Sequence, residues 1–227
     1  MNNENTADFK KKLRKEMKQS LTEFHANHTE SEKSEITKQL CQKVMALPEY
    51  QTADVILAYI PSDLEADCTS VIVDALQNGK KVAVPKVEFD SLKTGKNRMD
   101  FYFLENGTPL EAQLEVGTYG IREPKPELKK VFGGVAGDAP AERGATNEMG
   151  ARGETSPLKD IFILVPGVAF TQNGKRLGHG KGFYDIYIER VRRAGENPFL
   201  CGFCLPCQIL PELPTDSHDI FMDAVLF

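Results

Sequence analysis

The stretch Asp160–Asp185, DIFILVPGVAFTQNGKRLGHGKGFYD, constrains this chain more than any other. It opens on an unbroken apolar run, Ile161 to Val165. That run is too short to span a bilayer and has the length of a buried strand. Pro166-Gly167 ends the strand. A loop follows in which Gly174, Gly178, Gly180 and Gly182 are interleaved with Lys175, Arg176, His179 and Lys181. Tyr184, Tyr187, Ile188 and Val191 then recur at three- and four-residue steps, which predicts a helix. Strand, cationic glycine loop and helix together can cradle phosphate. Glycines let backbone N–H groups approach the anion, and the helix N-terminus points partial positive charge at it. The alternative is a glycine-rich turn with a solvated basic face. The density of glycine and basic residues directly after a buried strand favours the anion site.

The rest of the chain supplies the scaffold. Phe9, Leu13, Met17, Leu21 and Phe24 mark one face of a helix from about Ala7 to Phe24, with Lys10, Lys11, Lys12, Arg14, Lys15 and Lys18 on the other. A second helix is predicted from Thr29, where Glu32 completes a capping-box pattern, with Pro48 as its stop. Ala53–Ile60 reads as a buried strand ending in the polar loop PSDLEAD. A helix over Thr69–Gln77, capped by Asp67 or Thr69, leads to strands at Lys80–Val87 and Met99–Leu104. This alternation predicts βαβ units and a parallel sheet. Leu114–Pro126 reads as loop, and residues 133–157 as a mobile surface segment poor in apolar residues. Phe199–Leu205 and Ile220–Phe227 are the last predicted strands. Cys201, Cys204 and Cys207 fall in the first of these and its end, so they read as core thiols rather than a chelating set.

Composition excludes some functions. A net charge of −5 does not suit a chain built to coat nucleic acid. No apolar run is long enough for a membrane helix, and the polar N-terminus lacks a signal core. Five cysteines in such a chain point to reduced thiols, and the location expected is the cytoplasm.

In open α/β sheets ligands bind beyond the carboxyl ends of the strands. PSDLEAD, the glycine loop and PELPTDSHD are the loops placed to contribute. The glycine loop matches neither the P-loop nor the dinucleotide spacing. Asp185, one turn into the following helix, suits either a metal bridging phosphate oxygens or compensation of the helix dipole. Asp216 or Asp219 offers a second carboxylate. No nucleophile motif is present, so the chemistry that fits is positioning and charge neutralisation for phosphoryl transfer.

RLGHGKGFYD after DIFILVPGVAF resembles the signature of the 5-formyltetrahydrofolate cyclo-ligase family, P-G-x-A-F-x-x-x-G-x-R-L-G-x-G-x-G-[YF]-Y-D. KKKLRKEMK, the segment Ala58–Thr69 with Glu65, KKVAVPKV, MDFYFL, YGIREP and LPTDSHDIFMDAVL are similar to further family segments. Pro61 and Cys68 depart from its pattern, and residues 133–157 look like an insertion. The resemblance implies a single α/β domain over residues 1–227, a three-layer open, mostly parallel sheet with helices on both faces. It implies an ATP- and Mg²⁺-dependent ligase that forms a C–N bond, closing 5-formyltetrahydrofolate to 5,10-methenyltetrahydrofolate through a phosphorylated formyl group. The expected substrate, polyglutamylated or not, is met by a monomer without nucleic-acid or membrane partners. Lys10 and Arg14 match cations that reach ATP, and Arg176, Leu177, Gly178, His179, Gly180, Lys181, Gly182, Phe183 and Tyr184 match the nucleotide loop. Lys181 and Arg176 carry the catalytic charge; Ile60, Glu65, His179 and Tyr184 match substrate contacts; Asp185 and Asp219 match the metal carboxylates. Two other readings remain. One is an ATP-using enzyme with a different acceptor, the other a non-catalytic binding module, for instance for RNA. The joint presence of Glu65, Lys181, Asp185 and Asp219 argues against the second.

Overall fold

The computed structural model describes residues 3–87, 98–117, 120–132 and 160–227. The expected insertion at 133–157 lies outside them. Six strands form one sheet: β1 Val55–Leu57, β2 Lys81–Val87, β3 Met99–Phe103, β6 Ile161–Val165, β9 Phe199–Phe203 and β10 Ala224–Leu226. Their order is β10-β9-β6-β1-β2-β3, parallel throughout except for the antiparallel edge pair β2–β3. Two small antiparallel pairs lie outside it, β4 Leu114–Val116 with β5 Arg122–Pro124, and β7 Ala169–Phe170 with β8 Arg176–Leu177.

The strands alternate their side chains between two apolar layers. Ile56, Val82, Val84, Phe162, Leu164 and Cys201 face one way. They bury the stripes of α2 (Glu30–Met45) and α4 (Thr69–Gln77), through Leu40, Val44, Val71 and Ile72. Val55, Leu57, Ala83, Ile161, Ile163 and Leu200 face the other way, against Tyr187, Ile188 and Val191 of α5 (Phe183–Arg193). All five residues of β6 are buried, the near-continuous apolar pattern of a parallel strand covered on both faces. Burying each such aliphatic side chain contributes roughly 2 kcal/mol. The longest helix, α1 (Asn3–Asn27), sets Met17 against Val168, Ala169, Leu177 and Leu213, so it lies over the β7–β8 hairpin. No described helix is long and apolar enough to cross a membrane.

Local rules place most elements. Thr29 caps α2: its hydroxyl accepts from the Glu32 N–H, and the Glu32 carboxylate accepts from the Thr29 N–H at 2.8 Å. Such a cap is worth about 1 kcal/mol. The helix ends at Met45 with Ala46 as its cap, two residues short of Pro48, as expected. Pro48 also opens a short helix α3, Pro48–Thr52, where a missing N–H costs nothing. At α4, Cys68 holds the cap position without a side-chain bond, and the Asp67 carboxylate accepts from the Thr69 N–H. The strand expected over Ala53–Ile60 is shorter, because Tyr59 and Ile60 leave the ladder to line a cavity. Leu114–Pro126, expected as loop, is the β4–β5 hairpin. Part of the expected glycine loop is the β7–β8 hairpin, whose turn is closed by Thr171 accepting from the Lys175 N–H. The last strand covers only Ala224–Leu226. Cys201 and Cys204 are buried core thiols, and Cys207 sits in a short 3-10 turn. Burial pushes the Cys201 thiol up to about 12.

Candidate active site

β1 begins a chain path that leaves in both directions: β2 is added on one side, and β6, β9 and β10 on the other. The crevice beyond the carboxyl ends of β1 and β6 is therefore a topological switch point, where open sheets bind ligands. A cavity of about 660 Å³ lies there, within the range of small-molecule sites. Every residue to which the family resemblance gave a site role lines it, although they come from four separate stretches of chain; Gly174 and Lys175 of the glycine loop do not.

One wall is the loop after β1. The backbone N–H and hydroxyl of Ser62 both donate to Glu65 Oε2, at 2.9 and 2.8 Å. This fixes the carboxylate and leaves Oε1 near the opposite wall, 3.9 Å from His179 Nε2. That distance is too long for a hydrogen bond.

The opposite wall is the glycine loop. Arg176 is buried on β8. Its Nη2 donates to Asp185 Oδ2 at 2.8 Å and its Nη1 to the Pro166 carbonyl at 3.2 Å. The guanidinium carbon lies 5.8 Å from the centre of the Tyr184 ring. The buried Tyr184 hydroxyl has no hydrogen-bond partner among the described residues. Burial, with the nearby Glu65 carboxylate, holds that hydroxyl far above its usual pKa, so it stays a neutral donor. Gly182 caps α5 with φ 68° and supplies no side-chain bond to the first turn. The leading N–H groups of α5 are thus left without a side-chain cap, beside an exposed Lys181.

Helix α1 closes the crevice from the side. Arg14 Nε donates to the Gly178 carbonyl at 2.8 Å. Gly180, at φ 90°, passes so near this guanidinium that a Cβ would sit 3.2 Å from its central carbon. Both the backbone conformation and the close approach call for glycine. Lys10 is buried, and its ammonium donates to Asp216 at 2.7 Å and Asp219 at 2.6 Å. Burial alone would lower the Lys10 pKa, but the two carboxylates outweigh it and raise the value above the usual 10.5. The Asp216 N–H donates to Asp219 Oδ2 at 2.7 Å, closing that turn.

The fourth wall comes from β2, β3 and the β4–β5 hairpin. Pro85, Val87, Met99 and Ile121 make it apolar, with Arg122 beside them. Lys86 fastens the hairpin to β2 by donating to Glu115 at 2.8 Å and to the Pro124 carbonyl at 3.1 Å. This wall, Ser62, and Asp216 as a partner of Lys10 are what sequence reasoning missed. The alternation of apolar and polar residues in Leu114-Glu-Val and Ile121-Arg-Glu was the available signal for the hairpin.

The donor chemistry suits a small hard cation. Asp185, Asp216 and Asp219 line the same cavity, and Mg²⁺ takes one or two carboxylates together with phosphate oxygens and water. The bonds described for Asp185 and Asp219 reach only their Oδ2 atoms. Among the described residues no three His, Cys, Asp or Glu converge as an all-protein metal cage. The arrangement brings cationic side chains and carboxylates together on one cavity, where they can meet a polyanion and a cation.

Comparison with known proteins places the chain in a family. The sequence model of the 5-formyltetrahydrofolate cyclo-ligase family matches residues 6–138 and 141–227. The chain is 29% identical to a mouse 5-formyltetrahydrofolate cyclo-ligase over 96% of its own length and 93% of the relative's. It is 30% identical to a probable 5-formyltetrahydrofolate cyclo-ligase of Schizosaccharomyces pombe, over 82% of this chain and 81% of that one. Among solved structures it resembles the 5,10-methenyltetrahydrofolate synthetase of Aquifex aeolicus, with a TM-score of 0.66 and 28% identity over 96% of this chain and 88% of that one.

Proposed function

The chain belongs to the 5-formyltetrahydrofolate cyclo-ligase family, and on that premise we propose that it closes 5-formyltetrahydrofolate to 5,10-methenyltetrahydrofolate at the expense of ATP. The γ-phosphoryl group moves to the N5-formyl oxygen and ADP departs. N10 then attacks the activated formyl carbon, the ring closes, and the C–O bond breaks to release phosphate. The substrate supplies the attacking nitrogen, which accounts for a site rich in cations and without a protein nucleophile. What carries this reading is the convergence of Lys10, Arg14, Glu65, Arg176, Lys181, Asp185 and Asp219 on one cavity of suitable size.

Each residue has a definite task in it. Backbone N–H groups of Gly178–Gly182 and the leading turn of α5 hold the phosphates. Lys181 neutralises charge that builds on the transferred phosphoryl group, the kind of preorganised term that dominates such catalysis. Arg176, fixed by Asp185 and the Pro166 carbonyl, adds buried positive charge behind the loop. Asp185 and Asp219 would hold Mg²⁺, which supplies charge neutralisation between phosphate oxygens. Glu65, oriented by Ser62, accepts N–H donors of the pterin ring, and Ile60 and the Tyr184 ring pack against it. The apolar wall of Val87, Met99 and Ile121 receives the rest of the folate. His179 stands at the entrance opposite Glu65.

Incubating purified protein with Mg-ATP and 5-formyltetrahydrofolate tests the proposal. The near-UV absorbance of methenyltetrahydrofolate should grow with time and require both substrates. No absorbance change beside an active control enzyme would refute it.

A further inference from the structure

We propose that Asp216 is a positioning residue: it clamps Lys10 so that this lysine presents a donor to polyphosphate while Asp219 is left for the metal. The proposal rests on the nucleotide reading above and extends it to a residue with no role there.

The argument starts from the lysine. An ammonium has three N–H donors on a flexible stem, and fixing that stem costs about 2 kcal/mol of rotamer freedom. Lys10 is 7% exposed, so its stem is already ordered before any ligand arrives. Two donors are engaged, by Asp216 Oδ2 at 2.7 Å and Asp219 Oδ2 at 2.6 Å. Among the described residues the third donor has no partner, and the ammonium lies in a cavity that Arg14 and the glycine loop also line. The two carboxylates are not equivalent. Asp219 Oδ2 also accepts the Asp216 N–H, so this oxygen closes its own turn as well as meeting the lysine. A carboxylate that coordinates a divalent cation loses much of its attraction for a neighbouring ammonium, because the two cations repel. Asp216 is then the partner that keeps Lys10 in place. With Asp216 missing, Lys10 would have to be ordered by the nucleotide itself, at the cost of affinity.

The experiment compares the unaltered protein with Asp216→Ala, Asp216→Asn, Lys10→Ala and the double variant Lys10→Ala with Asp216→Ala. Calorimetric titration with Mg-ATP should show affinity about ten-fold weaker for Asp216→Ala, the size expected for one charge-assisted hydrogen bond. Asp216→Asn keeps an acceptor oxygen and should recover most of that loss. In the Lys10→Ala background the Asp216→Ala change should have no further effect, since its route is through the lysine. A second measurement needs no nucleotide. In ligand-free protein, acylation of Lys10 by an amine-reactive reagent, read by mass spectrometry, should rise several-fold in Asp216→Ala. Unchanged or tighter ATP binding by Asp216→Ala, an equal loss in the Lys10→Ala background, or unchanged Lys10 labelling would each overturn the clamp. Failure of the unaltered protein to bind ATP would instead overturn the nucleotide reading, while the labelling still judges the clamp.

Discussion

The glycine-loop wall and the hairpin wall face each other across one cavity and are built on opposite principles. The first is a network of charges: Arg176 on Asp185, Arg14 on the Gly178 carbonyl, Lys10 on two carboxylates. The second is a surface of Pro85, Val87, Met99 and Ile121, tied from behind by Lys86. The charged wall recognises by the directions of its donors, so its residue types betray it in the sequence. The apolar wall recognises by shape. Its residues resemble any buried strand, and only three-dimensional pairing reveals that they surround a ligand. In a site of this kind the charged side is expected to govern rate, and the apolar side affinity for the folate.

Three changes test that division, beginning with the most severe. Lys181→Ala removes from the charged wall the donor that the proposed mechanism sets against developing charge. Turnover should fall by about 10³, with the melting temperature nearly preserved, because the lost term belongs to the transition state. Turnover within a few-fold of the unaltered enzyme would show that the charged wall does not set the rate.

The next change cuts the tie between the walls. Asp100 of β3 is buried and accepts from Lys130 at 3.2 Å and from Arg190 of α5, whose first turn carries Tyr184 and Asp185. Asp100→Asn should lower stability by about 3 kcal/mol, measured by denaturant unfolding. Burial opposes ionisation of this carboxyl, but Arg190 and Lys130 outweigh it and hold its pKa below the usual 3.8. Its stabilising effect is therefore present above the unfolded-state pKa and is lost as pH falls through the lower folded value. Stability of the two proteins should converge in strong acid. A constant difference down to the lowest pH would refute this role for Asp100.

The mildest change touches the apolar wall alone. Ile121→Ser should raise the KM for 5-formyltetrahydrofolate about five-fold, the effect of roughly 1 kcal/mol of lost apolar burial at a half-exposed position. The KM for ATP should stay within two-fold. Equal rises in both would mean that the walls do not divide the substrates.

The same contrast explains what could be read from the sequence. Ile161–Val165 was legible as a buried strand because parallel strands covered on both faces carry unbroken apolar runs. The α2 boundary was legible because a capping box is a local code, complete within Thr29–Glu32. The charged wall followed from residue chemistry once the family signature had given its residues roles. The short helix that Pro48 opens was not legible, because the same ring that ends one helix favours the start of another and only packing decides whether a second one forms. The strand after Ala53 is shorter than its apolar run, because Tyr59 and Ile60 are as apolar as a core strand but line the crevice. The glycines and prolines of Leu114–Pro126 suggest loop, yet Gly117 and Gly120 lie between the two short strands and Pro124 is itself paired, opposite Leu114. The role of Asp216 needed Lys10 beside it, and no local pattern reports a contact between positions so far apart.

That separation has a consequence of its own. Lys10 and Asp219 are 209 positions apart and share one hydrogen bond. A chain emerging from the ribosome cannot shut this crevice until the turn that carries Asp219 has been made and folded back onto the helix that carries Lys10. Contacts this distant slow the assembly of the site. A nucleotide seated there would act as a clasp between these two distant segments, and should raise the temperature at which the chain melts.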